Sequence, residues 1–134
     1  MAIDVLRVIV WHGQRAERND VADPDWAQIE AAIRALDEGA RNDLYLQPAA
    51  GTETPWLCVG GGGGRYVVSV TTDGGGSHGL LRTDEDDGTT ATLVVGGQLS
   101  EFTSNRIIDL DTALKAARAF YASGTFDGSG MTWA

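Results

Sequence analysis

The chain has 134 residues, which fits one domain with a single hydrophobic core, and 43% of them are hydrophobic, which argues against a disordered chain. Nineteen acidic residues against ten basic ones give a formal net charge of −9, and this charge opposes contact with nucleic acid because the phosphates repel an acidic surface. We therefore expect one domain over residues 1–134 that does not bind nucleic acid.

The cysteine count and the hydropathy pattern indicate the cellular compartment in which the protein resides. Cys58 is the only cysteine, so the chain has no internal disulfide and no cysteine-rich zinc site, which agrees with a reducing cytoplasm. The stretch up to residue 11 is interrupted by Asp4 and Arg7 and lacks the continuous apolar core of a signal peptide. No segment approaches the ~18–20 apolar residues of a membrane span. These features predict a cytoplasmic protein without membrane contact.

Residues 5–11, VLRVIVW, are β-branched and apolar, which predicts a first strand. A helix is predicted near residues 24–38, because Asp23 can cap it, Pro24 suits its first turn and Gly39 is a natural C-terminal stop. The apolar residues of this segment recur at helical spacing and form one stripe: Trp26, Ile29, Ile33 and Leu36.

From residue 43 onward the pattern changes to short β segments separated by glycine clusters. The segments DLYLQP, PWLCV, RYVVSV, TATLVV and QLSEF are typical of strands joined by hairpins. A second helix is predicted near residues 111–122, with Asp111 as its cap and Gly124 as its end. Trp133 is expected to pack against the core in a last strand. The sequence thus predicts an α+β fold, in which one antiparallel sheet, a meander of short strands, carries two helices.

Five consecutive glycines occupy residues 60–64 and invite comparison with a phosphate-binding loop. Such a loop places converging backbone N–H groups at the start of a helix, and its usual fingerprint ends in Gly-Lys-Ser/Thr. Here the run is followed by RYVVSV, which has the pattern of a strand. We therefore interpret the glycines as a hairpin turn between two strands.

The residues that commonly carry catalysis form no recognisable pattern. His12 and His78 are far apart in the sequence and belong to no HxxxH or HxE motif, and the serines lack a GxSxG elbow. Cys58 lies in an apolar strand, which favours a buried core residue over a nucleophile. We predict no enzymatic activity, no catalytic residue, no cofactor and no metal. A small enzyme whose site combines His12, His78 and distant carboxylates is the alternative.

Four consecutive carboxylates occupy residues 84–87, within the segment TDEDDG. A calcium loop alternates its acidic ligands and closes with a distant glutamate, so this spacing does not fit one. At the tip of a hairpin the four side chains would be solvated. The run is therefore interpreted as a solubilising surface or as a contact for a basic partner.

The C-terminal third, GGQLSEFTSNRIIDLDTALKAARAFYASGTFDGSGMTW, combines a glycine pair, an aromatic strand residue, an acidic step into an alanine-rich helix, a turn and a closing tryptophan. This order resembles the ending of the first-numbered immunity family of bacterial polymorphic toxin systems, whose genes lie beside those of deaminase-type toxins. The strand, helix and meander before it, with an LxVGGGG turn, also follow the family's order. The matching positions are Gly96, Gly97, Phe102, Leu110, Asp111, Ala113, Ala117, Phe120, Gly124 and Trp133.

The resemblance implies an immunity protein that binds one cognate toxin and occludes its active site, as a heterodimer with a toxin of the nucleic-acid deaminase class. An independent physical argument agrees with this, because a toxin that holds phosphate backbones needs a basic surface and an acidic inhibitor is attracted to it. The alternative is an acidic protein-interaction or secretion-accessory module without catalytic activity.

Candidate toxin contacts follow from the view that loops on a rigid sheet carry specificity. The acidic run is the first choice, and Asp73, just before a second glycine cluster, is expected to join it. Trp56 and Tyr66 are secondary choices because aromatic side chains often anchor interfaces, with plain core packing as the alternative for both. The acidic residues are Asp84, Glu85, Asp86 and Asp87.

Overall fold

The computed structural model describes residues 3–48, 56–71, 76–124 and 130–134. Within them, strands and helices follow in the order β1 (Ile3–His12), β2 (Arg15–Ala22), α1 (Trp26–Arg34), β3 (Asp43–Pro48), β4 (Trp56–Gly62), β5 (Arg65–Thr71), β6 (Ser77–Leu81), β7 (Thr90–Val95), β8 (Gln98–Thr103), α2 (Leu110–Ser123) and β9 (Thr132–Trp133). A short 3₁₀ turn, Ser104–Arg106, separates β8 from α2. The predicted α+β class with antiparallel strands and two helices is confirmed.

Seven strands form one sheet in the order β2-β1-β3-β4-β5-β6-β9, and every neighbouring pair is antiparallel. Both helices cover one face of this sheet, where Ile29 of α1 and Phe120 of α2 are buried against Leu44, Val59 and Val68 of the central strands. The other two strands, β7 and β8, make a separate hairpin. The sheet is therefore not single, because the chain leaves it after β6 to form this hairpin.

Two strands, β2 and β6, were not predicted from the sequence, and β2 is the polar one. It pairs with β1 from Ala22 opposite Val5 to Arg15 opposite His12, at the edge of the sheet. Nearly all of its side chains are exposed, so its sequence, RAERNDVA, carries no apolar alternation. Charged side chains on such an edge also discourage unwanted strand pairing.

Helix α1 is shorter than predicted, because it ends at Arg34 with Ala35 as its C-cap and does not reach Gly39. Its N-cap is Asp25, whose carboxylate accepts the Gln28 backbone N–H at 2.8 Å while the Gln28 side chain accepts the Asp25 backbone N–H at 3.0 Å. This reciprocal capping box makes the prediction of Asp23 as the cap wrong. Asp23 instead occupies the turn before the helix, with φ of 48°.

The N-cap of helix α2 is Asp109, two residues before the predicted cap, Asp111. The carboxylate of Asp109, not that of Asp111, accepts the Thr112 backbone N–H at 2.8 Å, and Asp111 lies in the first turn. The helix ends at Gly124 in the left-handed conformation, as predicted. After it, β9 closes the sheet with Trp133 opposite Leu80. Neither described helix has the length and apolar character needed to cross a membrane.

The glycine run has two structural roles. Gly63 and Gly64 form the predicted turn between β4 and β5, while the first three glycines lie within β4. A Cβ atom on Gly62, whose φ is 135°, would collide with the backbone of Leu36 and Asp37, and a Cβ on Gly60 would lie 2.5 Å from Val95. Glycine is therefore required where the segment after α1 and the β7–β8 hairpin both approach β4.

Candidate functional site

The β7–β8 hairpin packs on the face of the sheet opposite the helices. Its turn, Gly96 and Gly97, has φ of 63° and 76°, the conformation of a two-residue type I′ turn. Leu93 is fully buried, and it lies where a side chain on Gly61 would collide with it. The inner side of the hairpin is thus apolar, and its alternate residues point away from the sheet.

Polar contacts hold β7 in place on the sheet. The Asn42 side-chain oxygen accepts the Gly97 N–H at 3.0 Å, and Glu38 Oε1 accepts the Val94 N–H at 2.9 Å. Arg65 Nη2 lies 3.2 Å from Glu38 Oε2 and donates to the Thr92 carbonyl at 3.3 Å. These bonds satisfy backbone groups along the edge of β7 that faces away from β8, and we call them the β7 clamp.

The opposite edge of the hairpin, on β8, is open. Val94 pairs with Leu99, and Thr92 pairs with Glu101. The backbone groups of Val94 and Thr92 point away from β8, because they bond to Glu38 and Arg65. In an antiparallel pair the backbone groups of Leu99 and Glu101 therefore point away from β7. Within the described part of the chain, these outward groups of Leu99 and Glu101 have no hydrogen-bond partner. The Leu99 side chain is 70% exposed, and no other large hydrophobic among the described residues is classed as exposed. The edge therefore combines free backbone groups with an apolar side chain.

Sequence reasoning missed Leu99, although the strand pattern contains a signal for it. Residues three apart in a strand lie on opposite faces, so Leu99 and Phe102 cannot both point into the core. Phe102 lies near Val95 and Cys58, on the inner side of the hairpin. Once Phe102 is assigned to the inside, Leu99 has to point outward.

The acidic run connects β6 to β7, and because these strands belong to different sheets it is not the tip of a hairpin, as had been expected. Its four carboxylates are exposed. The Thr89 hydroxyl donates to Asp87 at 2.6 Å and lies 2.6 Å from the hydroxyl of Ser104, the residue after β8. The Thr89 bonds hold the pKa of Asp87 below its ordinary value. The acidic run thus lies beside one end of the open β8 edge.

A second open feature lies on the same side of the sheet, at β1, β3 and β4. Arg7, Tyr45, Gln47 and Trp56 line a groove of about 380 Å³. The rings of Tyr45 and Trp56 are 5.2 Å apart, and Arg7 makes a two-point contact with Asp20 at 3.0 and 3.3 Å. Trp56 is partly exposed in this groove, so its ring is accessible to a partner.

The other two candidate contacts differ from Trp56. Tyr66 is only 3% exposed and lies in the hydrophobic core, with its backbone N–H bonded to the Ile108 carbonyl at 2.9 Å. A partner cannot reach this ring without unfolding the core, so the structure agrees with the core-packing interpretation of Tyr66. Asp73 lies outside the described residues.

The histidines and the cysteine do not assemble a catalytic site. His12 is paired with Glu17 at 3.1 Å on the β1–β2 hairpin, while His78 lies on β6, four strands away and so roughly 19 Å across the sheet. Cys58 is partly exposed, but burial of its thiol, with the nearby charge of Asp43, raises the pKa to about 12 and keeps the group protonated at neutral pH. No group of three His, Cys, Asp or Glu side chains suited to a metal occurs in residues 3–48, 56–71, 76–124 and 130–134.

The chain is thus a small α+β domain with an open strand edge and an exposed acidic segment. Residues 17–134 match the protein family described as Immunity protein Imm1. Because this match spans most of the chain, the protein belongs to that immunity protein family, and the predicted immunity role is confirmed at that level. None of the curated proteins compared with the chain matches it. Family membership implies a cognate toxin as the partner and favours binding over catalysis.

Proposed function

We propose that this protein neutralises a toxin of the nucleic-acid deaminase class by forming a heterodimer that covers the toxin's active site. The observation that carries the proposal is the family match over residues 17–134, which makes a toxin the expected partner. The deaminase class comes from the resemblance of the C-terminal third described above. The proposed compartment is the cytoplasm, where nucleic acid would be exposed to such a toxin.

The charge of the protein supports this choice of partner. An enzyme that acts on nucleic acid needs a basic surface to hold the phosphates, and this chain has a net charge of −9. Opposite charges accelerate the encounter of two proteins and select against partners of like charge. We therefore place the acidic run in the interface, as an electrostatic substitute for the phosphates of the substrate.

Co-expression and co-purification with the product of the neighbouring gene test this function directly. The expected result is a one-to-one complex, rescue of growth, and loss of the toxin's deamination of single-stranded DNA or RNA when the two proteins are mixed. Failure to bind and to rescue would overturn the immunity role, while rescue of cells from a toxin without deaminase activity would overturn only the proposed class.

Charge variants test the acidic run. Replacing Asp84, Glu85, Asp86 and Asp87 together with lysine is expected to lower affinity most at low salt, because surface electrostatics are screened as salt rises. The matched variant carries Asn, Gln, Asn and Asn at the same positions, which removes charge but retains side-chain acceptors for the turn. A single reversal within the run, Asp84→Lys, and a single reversal on β2, Glu17→Lys, change the net charge equally, so their difference isolates the position of the charge. Unchanged protection by the lysine variant would remove the run from the interface.

A further inference from the structure

The open edge of β8 is a template for another strand. In a two-residue hairpin the pairs alternate between bonded and non-bonded, and Val94–Leu99 and Thr92–Glu101 are of the second kind. On β7 one outward group of each residue is bonded, because the Val94 N–H donates to Glu38 and the Thr92 carbonyl accepts from Arg65. The β8 members present theirs to solvent, at the spacing that an added strand requires.

The two described strand edges most open to pairing differ in how they are protected. The β2 edge carries four charged side chains in eight residues, which is a common way to block edge-to-edge association. The β8 edge carries one, Glu101, beside a 70% exposed leucine. An unprotected edge with an exposed apolar side chain indicates a surface that is covered in the functional complex.

We propose that β8 is a strand-addition site, at which an extended segment of the cognate toxin pairs with residues 99–103. This inference rests on the proposed function, since it takes the toxin as the occupant. In this proposal the toxin segment carries an apolar residue near Leu99 and basic residues near Glu101 and the acidic run. The acidic run adjoins the end of β8 that is far from the turn, through the contact of Thr89 with Ser104. The β7 clamp fixes the hairpin beforehand, so little ordering is needed on binding.

Charge distinguishes this occupant from a second copy of the chain. A symmetric pair centred on Glu101 would oppose two like charges, and one centred on Ser100 would set each Leu99 against a carboxylate, whereas one centred on Leu99 would pair the two leucines and is opposed only by net charge. Each copy would also bring its net charge of −9 to the contact. A basic strand meets none of these penalties.

The decisive variant is Leu99→Pro. Its N–H takes no part in the hairpin, so proline leaves the β7–β8 pairing intact but removes a donor and places a ring on the open edge. Ala16→Pro is the matched control, because Ala16 occupies the equivalent outward position on the β2 edge, opposite Trp11, and its replacement leaves the net charge unchanged. Affinity for a catalytically inactive form of the purified cognate toxin is measured by calorimetry, and melting temperatures are recorded for each variant.

The expected result is a loss of affinity of about tenfold or more for Leu99→Pro, as for the loss of one or two hydrogen bonds, with unchanged affinity for Ala16→Pro. Equal affinities for all three proteins, or equal losses in both variants, would overturn the proposal. If Leu99→Pro does not fold, Leu99→Lys takes its place, because a lysine on this edge repels a basic strand. The same loss of affinity is then expected, and equal affinities or equal losses would again overturn the proposal.

Amide exchange measured by NMR gives a direct second readout. The amides of Leu99 and Glu101 are expected to exchange rapidly in the free protein and to become protected in the complex. Unchanged exchange at both in a tight complex would overturn the proposal while leaving the proposed function standing. The free protein could instead be a dimer that Leu99→Pro converts to a monomer while the affinity for the toxin stays unchanged. That result would assign the β8 edge to self-association and overturn the proposal. A wild-type protein that does not bind the toxin would overturn the proposed function, and the strand-addition site with it.

Discussion

The backbone N–H of Val94 donates to Glu38 Oε1 at 2.9 Å, although the two residues are 56 positions apart in the sequence. The same carboxylate pairs with Arg65, so one side chain links the segment after α1, the start of β5 and the hairpin. Because the N–H of Val94 is partly buried, removing its acceptor leaves an unsatisfied donor. Glu38 is thus a central member of the β7 clamp, which Asn42 and Arg65 complete.

Glu38→Ala is expected to lower the free energy of unfolding by about 1–2 kcal/mol, since it removes the acceptor of the Val94 N–H and the partner of Arg65. Glu38→Gln is the control, because its side-chain oxygen still accepts from Val94 and most of the stability should remain. Urea unfolding of the three proteins gives the comparison. Equal stability of the alanine variant and the wild type would contradict this account of the clamp.

Gly62→Ala is expected to be strongly destabilising, by about 2–4 kcal/mol, because the new Cβ collides with the backbone of Leu36 and Asp37 and the residue keeps a φ of 135°. Gly63→Asn is the control, because Gly63 has φ of 65° with nothing within 4 Å of the added Cβ, and asparagine tolerates that conformation. Its unfolding free energy should change by no more than about 0.5 kcal/mol. Similar losses in both variants would mean that the approach to Leu36 is not the cause.

The two aspartates at the start of α2 should differ in their contribution to stability. Asp109→Ala is expected to cost about 1 kcal/mol, the usual value of an N-cap, whereas Asp111→Ala should cost a few tenths. The Thr112 bonds hold the pKa of Asp109 below its ordinary value of 3.8, so the stabilisation is present above about pH 4 and is lost as the pH falls through the lowered pKa. Denaturant unfolding at pH 7 and pH 3 measures both effects, and a larger loss for Asp111→Ala at pH 7 would reverse the assignment of the cap.

The errors at the two helix starts have a common origin. Each helix start offers two aspartates two residues apart, and the preference for aspartate at an N-cap does not by itself distinguish them. In α1 the choice falls on Asp25 because Gln28, three residues later, closes a capping box with it, which Asp23 lacks. The amphipathic stripes and the turn after β4 depend only on local spacing and conformation, so the sequence predicted them.

The candidate site was less accessible to prediction. The exposed acidic run is evident from composition alone, but its position beside β8 depends on the chain leaving the main sheet after β6. The burial of Tyr66 and the openness of Trp56 depend likewise on which side of the sheet each residue faces. Such information comes from strand register, which a single sequence does not specify.

The stability of the protein should fall in alkaline solution. The Cys58 thiol ionises near its ordinary pKa of 9.0 in the unfolded chain but only near about 12 in the folded protein, mainly because burial disfavours the thiolate. Between these values the unfolded chain binds fewer protons, so folding becomes less favourable as the pH rises. The pKa of Tyr45 is also raised, again mainly by burial, and tyrosine adds to the loss above pH 10.

Urea unfolding between pH 7 and pH 11 measures this loss. Cys58→Ala should show a shallower decline than the wild type above pH 9, and the wild-type thiol should react slowly with iodoacetamide at pH 8 until urea unfolds the chain. A wild-type decline that matches Cys58→Ala throughout, or rapid alkylation of the native protein, would contradict the shielding of this thiol.

The outward side chains of the hairpin have a consequence for how such a protein diverges. Leu93 on its inner side belongs to the packed interior, whereas Leu99 and Glu101 on the outer side contribute nothing to it. Substitutions at these outer positions therefore carry almost no folding penalty, so variation there is limited by the partner and not by the fold. A duplicated copy of the gene would be able to acquire a new cognate by a few changes on one strand, while the sheet, the helices and the clamp are inherited intact.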